Sequence, residues 1–184
     1  MFKKTLTVVS FLVLLCSLAP ISGCGPFWVN PYITVTESKL NWIEVHYYQL
    51  DAKPIRRRAL FMNGAGHVEF KKGTSELISN DFAKRSDSEG WERIKTQRYT
   101  VDPKHVNDIF QNLVNYGLLD EEKHFRSTKK PRKDRVMGVK ANINNYSYCQ
   151  QENLFEVDPE LAEQLLDVIR EFYNPTLYSR RFLI

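Results

Sequence analysis

The chain has 184 residues, a formal net charge of +4, 42% hydrophobic residues and 12% aromatic residues. That length points to one domain, and so much apolar surface excludes a globally disordered chain. Lys3 and Lys4 lie in an N-terminal segment that is expected to be removed and holds no acid; the remaining 24 basic residues face 22 acidic ones, a net of +2 that excludes nucleic acid as a general partner.

The first 23 residues have three parts. Met1-Phe2-Lys3-Lys4 is a short positive region, Thr5 to Leu18 is apolar and uncharged, and Ala19 to Gly23 is small and turn-forming. This is the build of a secretory signal peptide. Its apolar run is about 14 residues, short of the roughly 20 that span a bilayer as a helix. Cleavage after Ser17-Leu18-Ala19 would leave Pro20 next to the cut, which is disfavoured. Ile21-Ser22-Gly23-Cys24 instead resembles the lipobox of bacterial lipoproteins, with Ile in the first place where Leu is favoured. The resemblance implies a diacylglyceryl group on the Cys24 thiol, removal of residues 1–23, and export from the cytoplasm. Gly25 stands where Asp would mark inner-membrane retention, so the outer membrane is the expected address. Each buried CH₂ contributes about 0.8 kcal/mol, so two or three chains anchor stably where one does not.

Residues 24–31 read as a lipidated tether, residues 32–174 as a single domain and residues 175–184 as an apolar and basic tail. Leu40 to Tyr48 and Arg57 to Met62 have strand composition. Asn63-Gly64-Ala65-Gly66 is a turn signal, His67 to Phe70 the partner strand, and Lys71-Lys72-Gly73 its expected end. Trp91 to Val101 is a further strand. Val101-Asp102-Pro103 opens a helix whose stripe is Val106, Ile109, Phe110, Leu113 and Val114, with Gly117 as its stop. Val136 to Ile143 and Tyr146 to Gln150 flank Asn144-Asn145, a hairpin signature. Val157-Asp158-Pro159 opens a second helix with the stripe Leu161, Leu165, Val168, Ile169 and Phe172. The expected architecture is α+β: an antiparallel sheet with two helices packed on one face. Tyr99-Thr100-Val101-Asp102-Pro103 aligns with Phe155-Glu156-Val157-Asp158-Pro159, 56 residues later, which raises the idea of a repeated strand-strand-helix unit.

With Cys16 in the leader and Cys24 as the lipid site, Cys149 has no partner for an intramolecular disulfide. Free cysteine is among the most buried residue types, so Cys149 is expected inside and inert. His67 and Glu69 stand two apart on one strand face and are the candidates for a metal or an acid–base pair. A third ligand would have to come from His46, His105 or His124, and a solvated strand face is the simpler reading. Asn63-Gly64-Ala65-Gly66 lacks the Lys-Ser/Thr end of a phosphate loop and opens no helix. No Gly-x-Ser-x-Gly elbow is present. No catalytic set and no cofactor are expected. The most charged stretch is Lys129-Lys130-Pro131-Arg132-Lys133-Asp134-Arg135, whose cations Lys129, Lys130, Arg132, Lys133 and Arg135 suit an anionic surface. Arg56-Arg57-Arg58 is a second basic cluster.

The order from Gly66 to Phe70, through the helix ending near Tyr116-Gly117-Leu118, to the late hairpin and helix resembles a widespread group of small bacterial lipoprotein domains without an assigned activity. The likeness covers roughly residues 55–174 and implies an α+β fold at the cell envelope. The expected function is a membrane-anchored, non-enzymatic binding or scaffolding module whose partner is an envelope protein or anionic polymer. The alternatives are a metal-dependent or hydrolytic enzyme acting on envelope polymers, and a protein inhibitor or immunity-type factor.

Overall fold

Apolar residues alternate with polar ones along the first strands, and the sheet they form buries one face. The computed structural model describes residues 32–75, 90–120, 134–150 and 152–173. Among the described residues the strands are β1 (Trp42–Gln49), β2 (Ile55–Asn63), β3 (His67–Ser75), β4 (Glu92–Thr100), β5 (Arg135–Ile143) and β6 (Tyr146–Gln150). The helices are α1 (Pro103–Asn115), a single turn α2 (Leu154–Val157) and α3 (Pro159–Tyr173). All strand pairs are antiparallel, in the order β4-β3-β2-β1-β5-β6. The chain is therefore α+β, with α1 following the edge strand β4.

Register explains which face is buried. Ile43, Val45 and Tyr47 on β1 oppose Met62, Leu60 and Arg58 on β2, and Ala141, Val139 and Met137 on β5. Leu60 and Met62 in turn oppose Phe70 and Val68 on β3. All of these apart from Arg58 belong to one buried apolar cluster, completed by Val106, Ile109, Phe110, Leu113 and Val114 of α1 and Leu161, Leu165, Ile169 and Phe172 of α3. Fully burying one such aliphatic or aromatic side chain stabilises by about 1.5–3 kcal/mol. The stripes expected for both helices are thus the ones that pack, with Val168 at the margin.

Caps fix where the helices begin. The Asp102 carboxylate accepts from the Lys104 N–H at 2.9 Å, and that of Asp158 from the Leu161 N–H at 3.1 Å. Proline follows each, at a position whose missing N–H costs nothing. The match between the two segments stops there. Tyr99 lies in β4, whereas Phe155 lies in α2, because Asn153 starts a helical turn by accepting from the Phe155 N–H at 3.2 Å. Asn153 also ties that turn to β5, accepting from the Met137 N–H at 3.1 Å and donating to the Arg135 carbonyl at 3.1 Å.

Two expectations fail. The third strand does not end at Lys71-Lys72-Gly73 but runs to Ser75. Lys71 pairs with Glu69 at 3.0 Å on the open face, and Lys72 stands over the Tyr173 ring at 5.0 Å on the helix side. Gly73 suits the spot because a Cβ there would lie 2.7 Å from the Glu92 carbonyl oxygen. Cys149 is exposed, not buried. Tyr148 is the residue that turns inward, opposite Ala141, so period-two alternation turns Cys149 to the other face opposite Lys140.

The tight turns gather at one end of the sheet. Asn144 and Asn145 take φ 52° and 67°, the left-handed values of a two-residue hairpin. The segment entering β1 docks at the same end. Asn144 donates to the Thr34 carbonyl at 2.8 Å and accepts from the Thr36 N–H at 2.9 Å, while the buried Asn41 accepts from the Asn144 N–H at 2.9 Å.

Candidate functional site

Arg56-Arg57-Arg58 opens β2 at the opposite end of the sheet. Register sorts the three. Arg57 opposes Tyr48 and Gly73 and lies on the open face, while Arg56 and Arg58 share the helix-side face with Tyr47. Arg58 opposes Lys72 on β3, and Lys72 opposes Lys95 on β4. The three form a cationic row across three neighbouring strands. In the two rows beyond them the same strands present Leu60, Phe70 and Gln97, then Met62, Val68 and Tyr99. Apolar side chains thus give way to cations where α3 ends at Tyr173.

These residues line a cleft of about 360 Å³, with Arg56, Arg58, Lys72, Arg93, Lys95 and Tyr173 on its walls. Arg93 enters it through an irregularity. The β3–β4 register shifts between Lys72 and Thr74, and Arg93 takes φ 51°, in the left-handed region that non-glycine residues rarely occupy. Ordered contacts hold the base of the cleft. The Arg58 guanidinium lies 5.7 Å from the Tyr47 ring centre and 4.7 Å from that of Tyr173. The fully buried Arg57 also borders the cleft, and its guanidinium sits 5.2 Å from the Tyr48 ring and 4.1 Å from Trp91. Ring contacts of this kind hold Arg58 without neutralising it. Among the described residues, no carboxylate forms an ion pair with Arg56, Arg58, Lys72, Arg93 or Lys95, and none lines the cleft.

The residues singled out from sequence fall elsewhere. Cys24, Lys129, Lys130, Arg132, Lys133 and His124 lie outside the described residues. Arg135 begins β5, with Nε 3.4 Å from Asp134 and Nη1 3.6 Å from Glu163. It shares a cross-strand row with Arg56, the two separated by Gln49 of β1. His67 and Glu69 do share one face of β3. Glu69, however, accepts from Arg98 Nε at 2.7 Å and lies 3.0 Å from Lys71 Nζ, and the Arg98 bond, ahead of Lys71, holds its carboxyl below the ordinary range. His46 bonds Glu44 at 2.7 Å and His105 bonds Glu171 at 3.0 Å. The His46 bond holds the Glu44 carboxyl low in turn. Among the described residues no three His, Cys, Asp or Glu side chains converge as a metal site.

The sequence did carry a signal for the cleft. Arg56 and Arg58, and likewise Arg93 and Lys95, lie at strand spacing, yet only the register reveals that the two pairs flank Lys72. Chemically the arrangement fits an anion-binding domain built on an α+β sheet. No protein-family model matches the chain, and no curated protein matches it. Among the described residues no helix is long and apolar enough to cross a membrane.

Proposed function

We propose that the protein is a lipoprotein of the cell envelope, held to a membrane, the outer membrane by preference, through lipid on Cys24, and that its domain binds anionic ligands without chemical turnover. The observation that carries the binding half is the cleft, where Arg56, Arg58, Lys72, Arg93 and Lys95, beside the buried Arg57, line one space with no carboxylate among the described residues on its walls. Like charges so placed repel, and an anion that joins them relieves that repulsion while gaining charge-assisted hydrogen bonds. The anchoring half is supported by the charged, apolar and small segments ahead of Cys24 and by the Ile21-Ser22-Gly23-Cys24 pattern.

Each half has its own test. Cells fed a clickable fatty acid should label the chain, and Cys24→Ala should lose both the label and retention in the membrane fraction; a labelled Cys24→Ala chain overturns the anchor. A fluorescent polysulfonate dye should bind saturably, more weakly as salt rises, and Arg56→Gln with Lys95→Gln should remove that binding. A dye that ignores both substitutions overturns the cleft as the binding site.

A further inference from the structure

The cations of the cleft are arranged in two pairs. Arg56 and Arg58 stand two residues apart on β2, and Arg93 and Lys95 two residues apart on β4, with β3 and its Lys72 between them. Strands lie about 4.8 Å apart and a two-residue step covers about 6.6 Å, so the pairs are separated by roughly 10 Å at the backbone. A single tetrahedral oxyanion is met fully by one pair and leaves the other uncompensated. Two linked anionic groups meet both, with Lys72 between them.

Charge selects the kind of group. Two carboxylates carry −2 against the five cations other than the buried Arg57. Two phosphoryl monoesters carry about −3 to −4, much closer to balance. Three of the five cations are arginines, whose planar forks bind phosphate oxygens two at a time. A volume of about 360 Å³ is near the lower limit for small-molecule sites, roughly 300 Å³, which suits a compact headgroup.

From this geometry we infer that the cleft recognises a compact ligand bearing two phosphoryl groups, one held by Arg56 and Arg58 and the other by Arg93 and Lys95. The assignment rests on the reading of the cleft as an anion site. The same chemistry occurs on a soluble diphosphate and on a diphosphorylated lipid headgroup.

The test uses the full chain purified in detergent and titrated by calorimetry at constant ionic strength. Inorganic pyrophosphate is the probe, and citrate, with three carboxylates, is the comparison. Pyrophosphate should bind at least about ten-fold tighter than citrate, because phosphoryl oxygens carry more charge per group. Arg56→Gln and Lys95→Gln are both exposed changes, and each should weaken pyrophosphate by about ten-fold through loss of a charge-assisted contact. Lys104→Gln, at the start of α1, should leave it unchanged. Equal affinity for citrate overturns the phosphoryl assignment and leaves the anion site standing. Binding of neither probe overturns both. Detergent micelles with and without diacylglycerol pyrophosphate, titrated into the same detergent-held chain, then separate the sources. Saturable binding of the doped micelles, competed by free pyrophosphate, identifies a headgroup ligand. Binding of free pyrophosphate alone identifies a soluble one. Either outcome sustains the diphosphoryl chemistry.

Discussion

Arg57 is fully buried, with its guanidinium 4.1 Å from the Trp91 ring and 5.2 Å from that of Tyr48. A planar, weakly hydrated cation tolerates that position, whereas a compact ammonium keeps more of its hydration cost and stacks poorly. Arg57→Lys should therefore lower stability by about 1–2 kcal/mol, while Arg56→Lys, exposed on the neighbouring position, should stay within about 0.5 kcal/mol in urea unfolding. Glu69 gives a pH dependence with a definite sign. Its folded-state pKa lies below the ordinary carboxylate value. Its stabilising contribution is thus complete above that value and disappears as the pH falls through the depressed folded-state one. Unfolding free energy measured against pH should show a shallower acid limb in Glu69→Gln. An unchanged limb would mean that Arg98 and Lys71 do not stabilise the charged form. At this scale Cys149 is instructive. The sequence places it correctly on a strand, but burial depends on the phase of the alternation, and Tyr148 takes the inward position.

Elements were legible where a periodic pattern met strong punctuation. The Asp-Pro starts of α1 and α3, the Asn144-Asn145 hairpin and the stop at Gly117, which takes φ 94°, all had chemical reasons visible in the sequence. β3 was misjudged because Lys71, Lys72 and Gly73 look like a terminator when read alone. Each is accommodated only by a neighbour: Glu69, the Tyr173 ring and the Glu92 carbonyl. The cleft was hidden for the same reason. Its members come from three strands, and their meeting is a property of pairing and not of spacing. The turn joining β2 to β3 supplies a test at this scale. Gly66 takes φ 84°, accepts from the Val101 N–H at 2.8 Å, and has room for no side chain, since a Cβ would lie 2.1 Å from the Val101 oxygen. Gly66→Ala should destabilise by about 2–3 kcal/mol through left-handed strain and the displaced β4–α1 junction. A melting temperature equal to that of the parent would show that the junction yields freely.

In the described residues the sheet and both longer helices share one apolar cluster that reaches from Val68 on β3 to Tyr148 on β6. No part of this core is sealed off from another. Loss of α3 exposes the same surface that α1 and the sheet bury, so unfolding should be cooperative. Far-ultraviolet and aromatic circular dichroism should report one midpoint in urea; two separated midpoints would reveal independently stable halves and would revive the idea of a repeated unit. The α+β layering itself was readable because both amphipathic stripes and the alternation of the strands demand one shared interior. The placement of the cleft at the end of the sheet away from the segment entering β1 was not, since it depends on strand direction. The segment leading into β1 docks beside Asn144, at the turn end of the sheet. Arg56 stands at the other end of β2 from Asn63, a distance of roughly 23 Å at strand spacing. Under the proposed tether through Cys24, this polarity would make the sheet a boom, moored at one end with the cleft a strand's length away. The stretch from Cys24 to Tyr32 covers at most about 28 Å when fully extended. Capture range and affinity would then be governed by separate parts of the molecule, and residues inserted ahead of Tyr32 should lengthen the first without touching the second.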